Sequence, residues 1–283
     1  MKKILFIILT SVLLTSCENF FDVTVPIEVE PHESKIAPSA LLGNSNSIYP
    51  SEQYNYIYLS KTKGALDNSK EPTHISQATI TLTSGNEMIT YSESQDNTGL
   101  YFPNQNINLI PGNDYHLKVE KNGFNTVTAT QKYPKPIPVI SASVDGEILK
   151  VKFQDLTNQQ DYYYLELFQI NDTNRNPCPL ESFSSNSIRS KIVSHGLIIN
   201  DETFDGQTHE FKAKYSAYLP TDEYKFLVLL HHITKDFYRF DKSLGMNYDV
   251  KDNPFAEPVI MYTNIENGYG IFGLRNTSEY IIE

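Results

Sequence analysis

The stretch Pro111-Gly112-Asn113-Asp114-Tyr115-His116-Leu117-Lys118-Val119-Glu120-Lys121-Asn122-Gly123-Phe124-Asn125-Thr126-Val127-Thr128-Ala129-Thr130 decides the fold class. It opens on a turn cluster, after which Tyr115, Leu117 and Val119 alternate with His116, Lys118 and Glu120. That period of two belongs to a strand with one face buried. Asn122-Gly123 is a strong signal for a tight hairpin turn, and it returns the chain through Phe124 to Thr130 as an antiparallel partner. Working outward, Asn55 to Lys61 reads as a strand and Ala78 to Thr83 repeats the alternation. Downstream, Tyr133-Pro134-Lys135-Pro136-Ile137-Pro138 places three prolines in a short span, which pre-sets an extended backbone without ladder donors and marks a stiff joint. The β pattern then restarts. Ile140 to Val144, an Asp145-Gly146 turn, and Leu149, Val151 and Phe153 form a second hairpin. Tyr162 to Ile170 is aromatic and apolar, and Phe226 to Leu230 is an unbroken apolar run suited to a central strand covered on both faces. Asn171 to Asn200, with Pro177 and Pro179, reads as a long loop or a loosely paired edge.

One helix is expected over about 235–244. Thr234 is placed to cap it, Asp236 lies in the first turn, Phe237, Phe240 and Leu244 recur at helical spacing, and Gly245 is placed to close it. The expected fold is mainly β: two immunoglobulin- or fibronectin-like antiparallel β-sandwich domains, 39–133 and 139–283, joined by 134–138, with the short helix near the C-terminus.

The chain has 283 residues, 40% hydrophobic and 20% charged, with 19 Tyr, 15 Phe and no Trp, a composition that excludes wholesale disorder and multi-span membrane architectures. Its formal charge of −11 offers no broad basic surface to displace counterions from a phosphate backbone, which argues against a nucleic-acid partner. Two cysteines, Cys17 and Cys178, exclude a disulfide framework.

The first of these has another role. Met1-Lys2-Lys3 is a positive leader and Ile4 to Leu14 an apolar stretch too short to span about 30 Å of bilayer, so 1–16 reads as a signal peptide. Leu14-Thr15-Ser16-Cys17 resembles the bacterial lipobox. The resemblance implies that the Cys17 thiol becomes a thioether to diacylglycerol, with acylation of the new amino terminus; from there to 38, Pro26, Pro31 and Pro38 without a helical period read as a tether ending in an edge strand near Phe21 to Val29, so that 17–38 is the lipid-anchored tether. Two or three acyl chains anchor a protein without a transmembrane helix.

Candidate chemistry is sparse. His231-His232 is the most tempting metal pair, yet adjacent strand residues face opposite ways, so the plainer reading is one histidine packed and one solvated. Asp201-Glu202-Thr203-Phe204-Asp205-Gly206, near His195 and His209, lacks the spacing of a calcium loop and reads as a solvated acidic turn. Cys178 has no neighbouring histidine or CxxC partner and reads as an inert thiol. There is no Gly-x-Ser-x-Gly, and no Ser-x-x-Lys context resembling a penicillin-recognising site. Gly268-Tyr269-Gly270-Ile271-Phe272-Gly273 lacks the lysine and helix of a phosphate loop and reads as a bent final strand. Tyr49, Tyr54, Tyr56, Tyr58 and Tyr162 to Tyr164 read as filler of a half-exposed sheet, with a stacking platform as the alternative. No catalytic, cofactor or metal residue is assigned.

Several segments together resemble a family of Bacteroidota outer-membrane lipoproteins known as a domain of unknown function: Tyr58 to Thr62, Ile75 to Ile80, Leu109 to Val119, Asn200 to Gly206, and most specifically Asn253 to Pro258 followed by Thr263 to Gly273. Where that family's closing motif has two adjacent glycines, this chain has Asn267-Gly268, and asparagine tolerates positive φ. Members are typically encoded beside TonB-dependent receptors. The resemblance implies a non-enzymatic outer-membrane binding or accessory protein, anchored through acylated Cys17, that assists such a transporter in nutrient capture and carries no cofactor. The alternatives are an envelope hydrolase with a site at the domain junction, which requires a cleft there holding convergent carboxylates or a His/carboxylate pair, and a structural or adhesive surface lipoprotein.

Overall fold

Seven strands precede the proline joint in the computed structural model: β1 (Ile36–Leu42), β2 (Ile57–Lys61), β3 (Thr79–Ser84), β4 (Glu87–Glu93), β5 (Leu100–Pro103), β6 (Asp114–Glu120) and β7 (Val127–Lys132). Following it are β8 (Val139–Asp145), β9 (Ile148–Gln154), β10 (Tyr162–Ile170), β11 (Arg175–Pro177), β12 (Leu180–Ser182), β13 (Ser187–Arg189), β14 (Leu197–Asn200), β15 (Thr208–Tyr215), β16 (Lys225–Ile233), α1 (Lys235–Val250) and β17 (Ile271–Ile282). The structure describes residues 32–44, 55–64, 67, 69–171, 174–192, 195–217, 224–250, 253, 255–257 and 259–283. Cys17, the signal peptide and the edge strand expected near Phe21 lie outside the described residues, as do Tyr49 and Tyr54.

The hairpins follow their sequence signals. β6 pairs antiparallel with β7 in a register that sets Leu117 opposite Ala129, and Gly123 turns between them at a φ of 85°. β8 and β9 pair around Gly146, at a φ of 58°. Two sheets result: a 13-stranded one ordered β13-β14-β10-β16-β17-β1-β2-β5-β4-β3-β6-β7, with β11 on β10, and a four-stranded one ordered β12-β15-β9-β8. The large sheet runs through both halves of the chain because β17 lies parallel to β1, with Ser39 opposite Ile271 and Leu42 opposite Leu274. The fold is mainly β with sandwich-like sheets and one helix near the C-terminus.

Three apolar clusters account for most of the burial. The alternating inner faces of β1 to β7 close one, into which β17 inserts Phe272 and Leu274. A second fills the sandwich between the four-stranded sheet, through Leu149, Val151, Phe153 and Phe211, and the inner face of β10, β14 and β16, through Tyr163, Leu165, Ile199 and Val228. On the outer face of that same sheet, α1 lays Phe237, Tyr238 and Phe240 over Tyr162, Tyr164, Ile198 and Ile233. β10 and β16 are therefore sheet with apolar cover on both sides, which is why they read as runs and not as alternations.

Three expectations are corrected here. The helix continues to Val250, with Gly245 inside it, where a Cβ would meet only the Lys191 side chain at van der Waals distance. Thr234 turns its hydroxyl to the backbone N–H of Leu274 on β17, 3.2 Å away, so its side chain fastens the helix start to the sheet. The segment after Asn171 is neither a plain loop nor a single edge: it builds β11, β12, β13 and β14, with Leu197–Asn200 wholly buried.

The closing Asn267-Gly268-Tyr269-Gly270-Ile271-Phe272-Gly273 is where β17 is threaded against β1. Asn267 takes a φ of 61° and Gly270 one of 97°. A Cβ on Gly270 would lie 2.1 Å from the Pro38 carbonyl oxygen, and one on Gly273 2.8 Å from the Phe237 Cβ. The glycines thus let the last strand meet β1 on one side and the helix on the other.

Candidate functional site

Polar groups inside this protein gather along β10 and β16, two long strands covered on both faces. On the helix side, Glu166 of β10 is 1% exposed, and the two imidazoles beside it take one carboxylate oxygen each. His195 Nε2 lies 2.7 Å from Oε1 and His231 Nε2 lies 2.8 Å from Oε2. A carboxylate only accepts, so His231 carries its hydrogen on Nε2, and Nδ1 receives the Thr277 hydroxyl at 2.7 Å. Burial holds the His231 ring below its ordinary titration range, against the opposing pull of Glu166. Burial also pushes Glu166 upward, but the hydrogen bonds from the two histidines outweigh it and hold the carboxyl well below the usual range. Tyr164 stacks on His231, with centroids 5.1 Å apart and planes 14° from parallel. Hydroxyl, imidazole and carboxylate stand in the order of an acyl-transfer relay. Here the imidazole is enclosed, and its bonds tie β10, β16 and β17 together.

The opposite face of the same strands carries the second group. His232 Nδ1 lies 2.8 Å from the Lys135 carbonyl and Nε2 2.9 Å from Asp161 Oδ1. The Lys135 carbonyl and the Asp161 carboxylate thus flank the two ring nitrogens of His232. Gln159 donates to both Asp161 oxygens, and the Asp161 N–H donates to Asp201 Oδ2 at 2.7 Å. Asp155 accepts from the Tyr163 hydroxyl and from the Gly206 N–H. Asp155, Asp161 and Asp201, all buried, bring one oxygen each within 4.8 Å of one another. Burial raises Asp155 and Asp201, and the charges of their neighbours add to that rise. The bonds just named engage each of the three carboxylates with a protein donor, as in an internal polar core.

These placements correct three plain readings. Neither adjacent histidine is solvated: His231 is 2% exposed and His232 5%, each bound to a carboxylate on its own face of the sheet. Nor is Asp201 a solvated turn residue, since it is 1% exposed. Tyr162, Tyr163 and Tyr164 belong to the core and present no half-exposed platform, whereas Tyr56 and Tyr58 are each 37% exposed. Cys178 is fully buried and burial pushes its thiol up to about 11, which leaves little thiolate at neutral pH.

The His232–Asp161 pair forms part of the floor of a cleft of about 340 Å³ at the junction of the two halves. Gly112, Gln131, Lys132 and Tyr133 contribute one wall, Pro134 and Lys135 the joint, and Gln159, Gln160, Tyr162 and Lys235 the other. The joint is fastened twice, by His232 on the Lys135 carbonyl and by Asn276 Nδ2 on the Pro134 carbonyl at 3.0 Å, while Ile137 sinks into the sandwich core. Across the cleft mouth, Gln131 Nε2 donates to Asp236 Oδ2 at 2.6 Å, joining β7 to the first turn of α1. The cleft is therefore preformed, and its volume falls near the lower end of that of small-molecule sites. Composition alone did not locate it; the signal available was the proline joint, whose carbonyls need donors once the chain is folded.

A search of curated proteins returns no match. A comparison with protein families matches residues 45–281 to the domain of unknown function DUF4249. That match takes in every strand from β2 onward and both faces of the junction cleft, and on it the chain belongs to the DUF4249 family.

Proposed function

We propose that this protein is a lipid-anchored binding protein of the bacterial outer membrane, which captures a small ligand in the junction cleft and passes it to a TonB-dependent receptor. The observation that carries the binding part is the cleft itself: about 340 Å³, walled by both halves of the chain and held open by ties to the proline joint. Its histidine supports binding over catalysis, because both ring nitrogens of His232 are engaged by protein acceptors and neither faces a substrate. The anchor and the address rest on the Leu14-Thr15-Ser16-Cys17 lipobox, and the receptor on the resemblance to lipoproteins encoded beside such receptors.

The test is affinity capture of a tagged copy from gently solubilised membranes. Recovery of a β-barrel receptor is the expected result, and recovery of the lipoprotein alone overturns the transporter role. Cys17→Ser should shift the protein out of the membrane fraction; a variant that still sediments with membrane and takes up label from a fatty-acid precursor removes the anchor.

The hydrolase reading keeps one favourable observation, the buried Asp161–His232 pair on the cleft floor. It requires His232→Gln to abolish turnover of an ester or glycoside that the unaltered protein cleaves.

A further inference from the structure

We infer that the junction cleft recognises a small organic anion, a carboxylate- or phosphate-bearing metabolite, through Lys132, Lys135 and Lys235. The inference rests on the reading of the cleft as the ligand site and adds the chemistry of the ligand. The three lysines line one cleft from three different elements, the end of β7, the proline joint and the start of α1, and all three are exposed. Among the described residues none of them forms an ion pair. Four lysines elsewhere on the sheets, Lys118, Lys150, Lys212 and Lys214, each reach a carboxylate, at 2.8, 3.1, 3.3 and 3.1 Å, whereas Lys152 of β9 forms no ion pair among the described residues; the cleft differs in gathering three such lysines around one concavity.

Among the described residues, Asp161 is the only carboxylate lining the cleft, and Gln159 and His232 engage it. Asp236, at the mouth, is likewise taken, by Gln131 and by the Tyr262 hydroxyl. The donors from Gln159, Gln131 and Tyr262 are neutral and cancel no charge, so in a chain of formal charge −11 this preformed concavity sets three ammoniums against the two carboxylates Asp161 and Asp236. Low-dielectric walls focus such a field into the cleft and raise the local concentration of anions. Lysine ammoniums are point charges on flexible stems, which suits a carboxylate or phosphate approached from several sides. Gln160 accepts from Lys235 at 3.3 Å through Oε1, which leaves its NH2 group as a neutral donor beside the charge. The size of the cleft restricts the ligand to a monomeric metabolite.

The experiment is titration calorimetry of the full chain in nonionic detergent, with inorganic phosphate, D-glucose 6-phosphate, D-glucuronate and neutral D-glucose as probes, at low and at raised sodium chloride. At least one anion should bind, glucose should not, and affinity should fall with salt. Exposed charges of this kind contribute roughly 2–5-fold each, so the triple variant Lys132→Gln/Lys135→Gln/Lys235→Gln should weaken binding about 10- to 100-fold, with a far-UV spectrum like that of the unaltered chain. The phosphate and uronate arms tell which anion the site prefers. No binding by any anion overturns the inference, as does unchanged anion binding in the triple variant. Binding of glucose alone also overturns the charge assignment while leaving the cleft as a ligand site. Loss of the receptor from affinity capture bears on the transporter role only.

Discussion

Gly270→Ala should be among the most damaging single-methyl additions in this protein. The residue sits at a φ of 97°, a region L side chains rarely enter, and the new Cβ would lie 2.1 Å from the Pro38 carbonyl oxygen and 3.1 Å from its carbon. Backbone strain of this kind costs about 1–3 kcal/mol. Relief of the contact requires β1 and β17 to separate by roughly an ångström, given ordinary contacts of about 3.5–4.0 Å. The parallel ladder begins at the next residue, with Ser39 opposite Ile271, so the shift strains its first hydrogen bonds, worth about 1 kcal/mol each. Together these give a loss of about 3–5 kcal/mol. The control is Gly123→Ala, in the β6–β7 turn, where φ is 85° but no atom lies within 4 Å of the new Cβ; there only the backbone term remains, about 1–2 kcal/mol. Urea unfolding followed by far-UV circular dichroism measures both. If the two variants lose the same stability, the close approach of β17 to β1 is not what requires glycine at 270.

Glu166→Ala should cost about 1–3 kcal/mol in the same assay, because it leaves the buried His231 Nε2 donor without its acceptor and takes a partner from the part-exposed His195; no measurable loss would show that the carboxylate is not integral to the core. Stability should fall on acidification. Burial holds His231 and His209 below the ordinary histidine value of 6.5, so the unfolded chain takes up these protons first, and their contribution is complete above about pH 6.5 and lost as pH drops below it. Urea midpoints at about pH 7.5 and 5.5 measure this drop, and His231→Gln should lessen it; an undiminished drop would assign it elsewhere. Glu166 adds a second loss at more acidic pH, below the ordinary carboxylate value of 4.5, whereas Asp155, Asp201 and Asp241, raised by burial, bind protons first in the folded state and offset part of it. Cys178 should resist a thiol reagent at pH 8 and react promptly once denatured; prompt reaction in the folded state would contradict its burial.

Local signals carried much of this architecture. The Asn122-Gly123 and Asp145-Gly146 turns fall where the β6–β7 and β8–β9 hairpins turn, and the apolar stretch from Tyr162 to Ile170 coincides with β10. The helix was legible at its start, through Asp236, Phe237 and Phe240, and not at its end, because a glycine closes a helix only when the chain has reason to leave it, and Gly245 lies in the helix interior against the Lys191 side chain with no positive φ. The parallel pairing of β1 with β17 has no local signature at all. It joins residues at opposite ends of the chain, and its trace in the sequence is the spacing of Gly268, Gly270 and Gly273, which read locally as no more than a bend.

The buried histidines illustrate a different loss of information. Alternation assigns faces to His231 and His232 correctly, but the inference that one face is wet fails in a strand flanked by sheet, sandwich and helix. In such a strand each polar side chain must find a partner within the protein, and the partners come from across the ladder: Glu166 and Asp161 sit on or beside the antiparallel neighbour β10, far away in sequence. The two pairs then diverge by what lies beyond them. Glu166 is closed over by aromatic rings and two imidazoles, a tie within the core. Asp161 and His232 face the proline joint, where the imidazole holds the Lys135 carbonyl and so fixes where the Lys135 side chain leaves the backbone at the cleft. A buried imidazole–carboxylate pair thereby sets the position of an exposed cation, and removal of the histidine should loosen the joint before it disturbs the sheets.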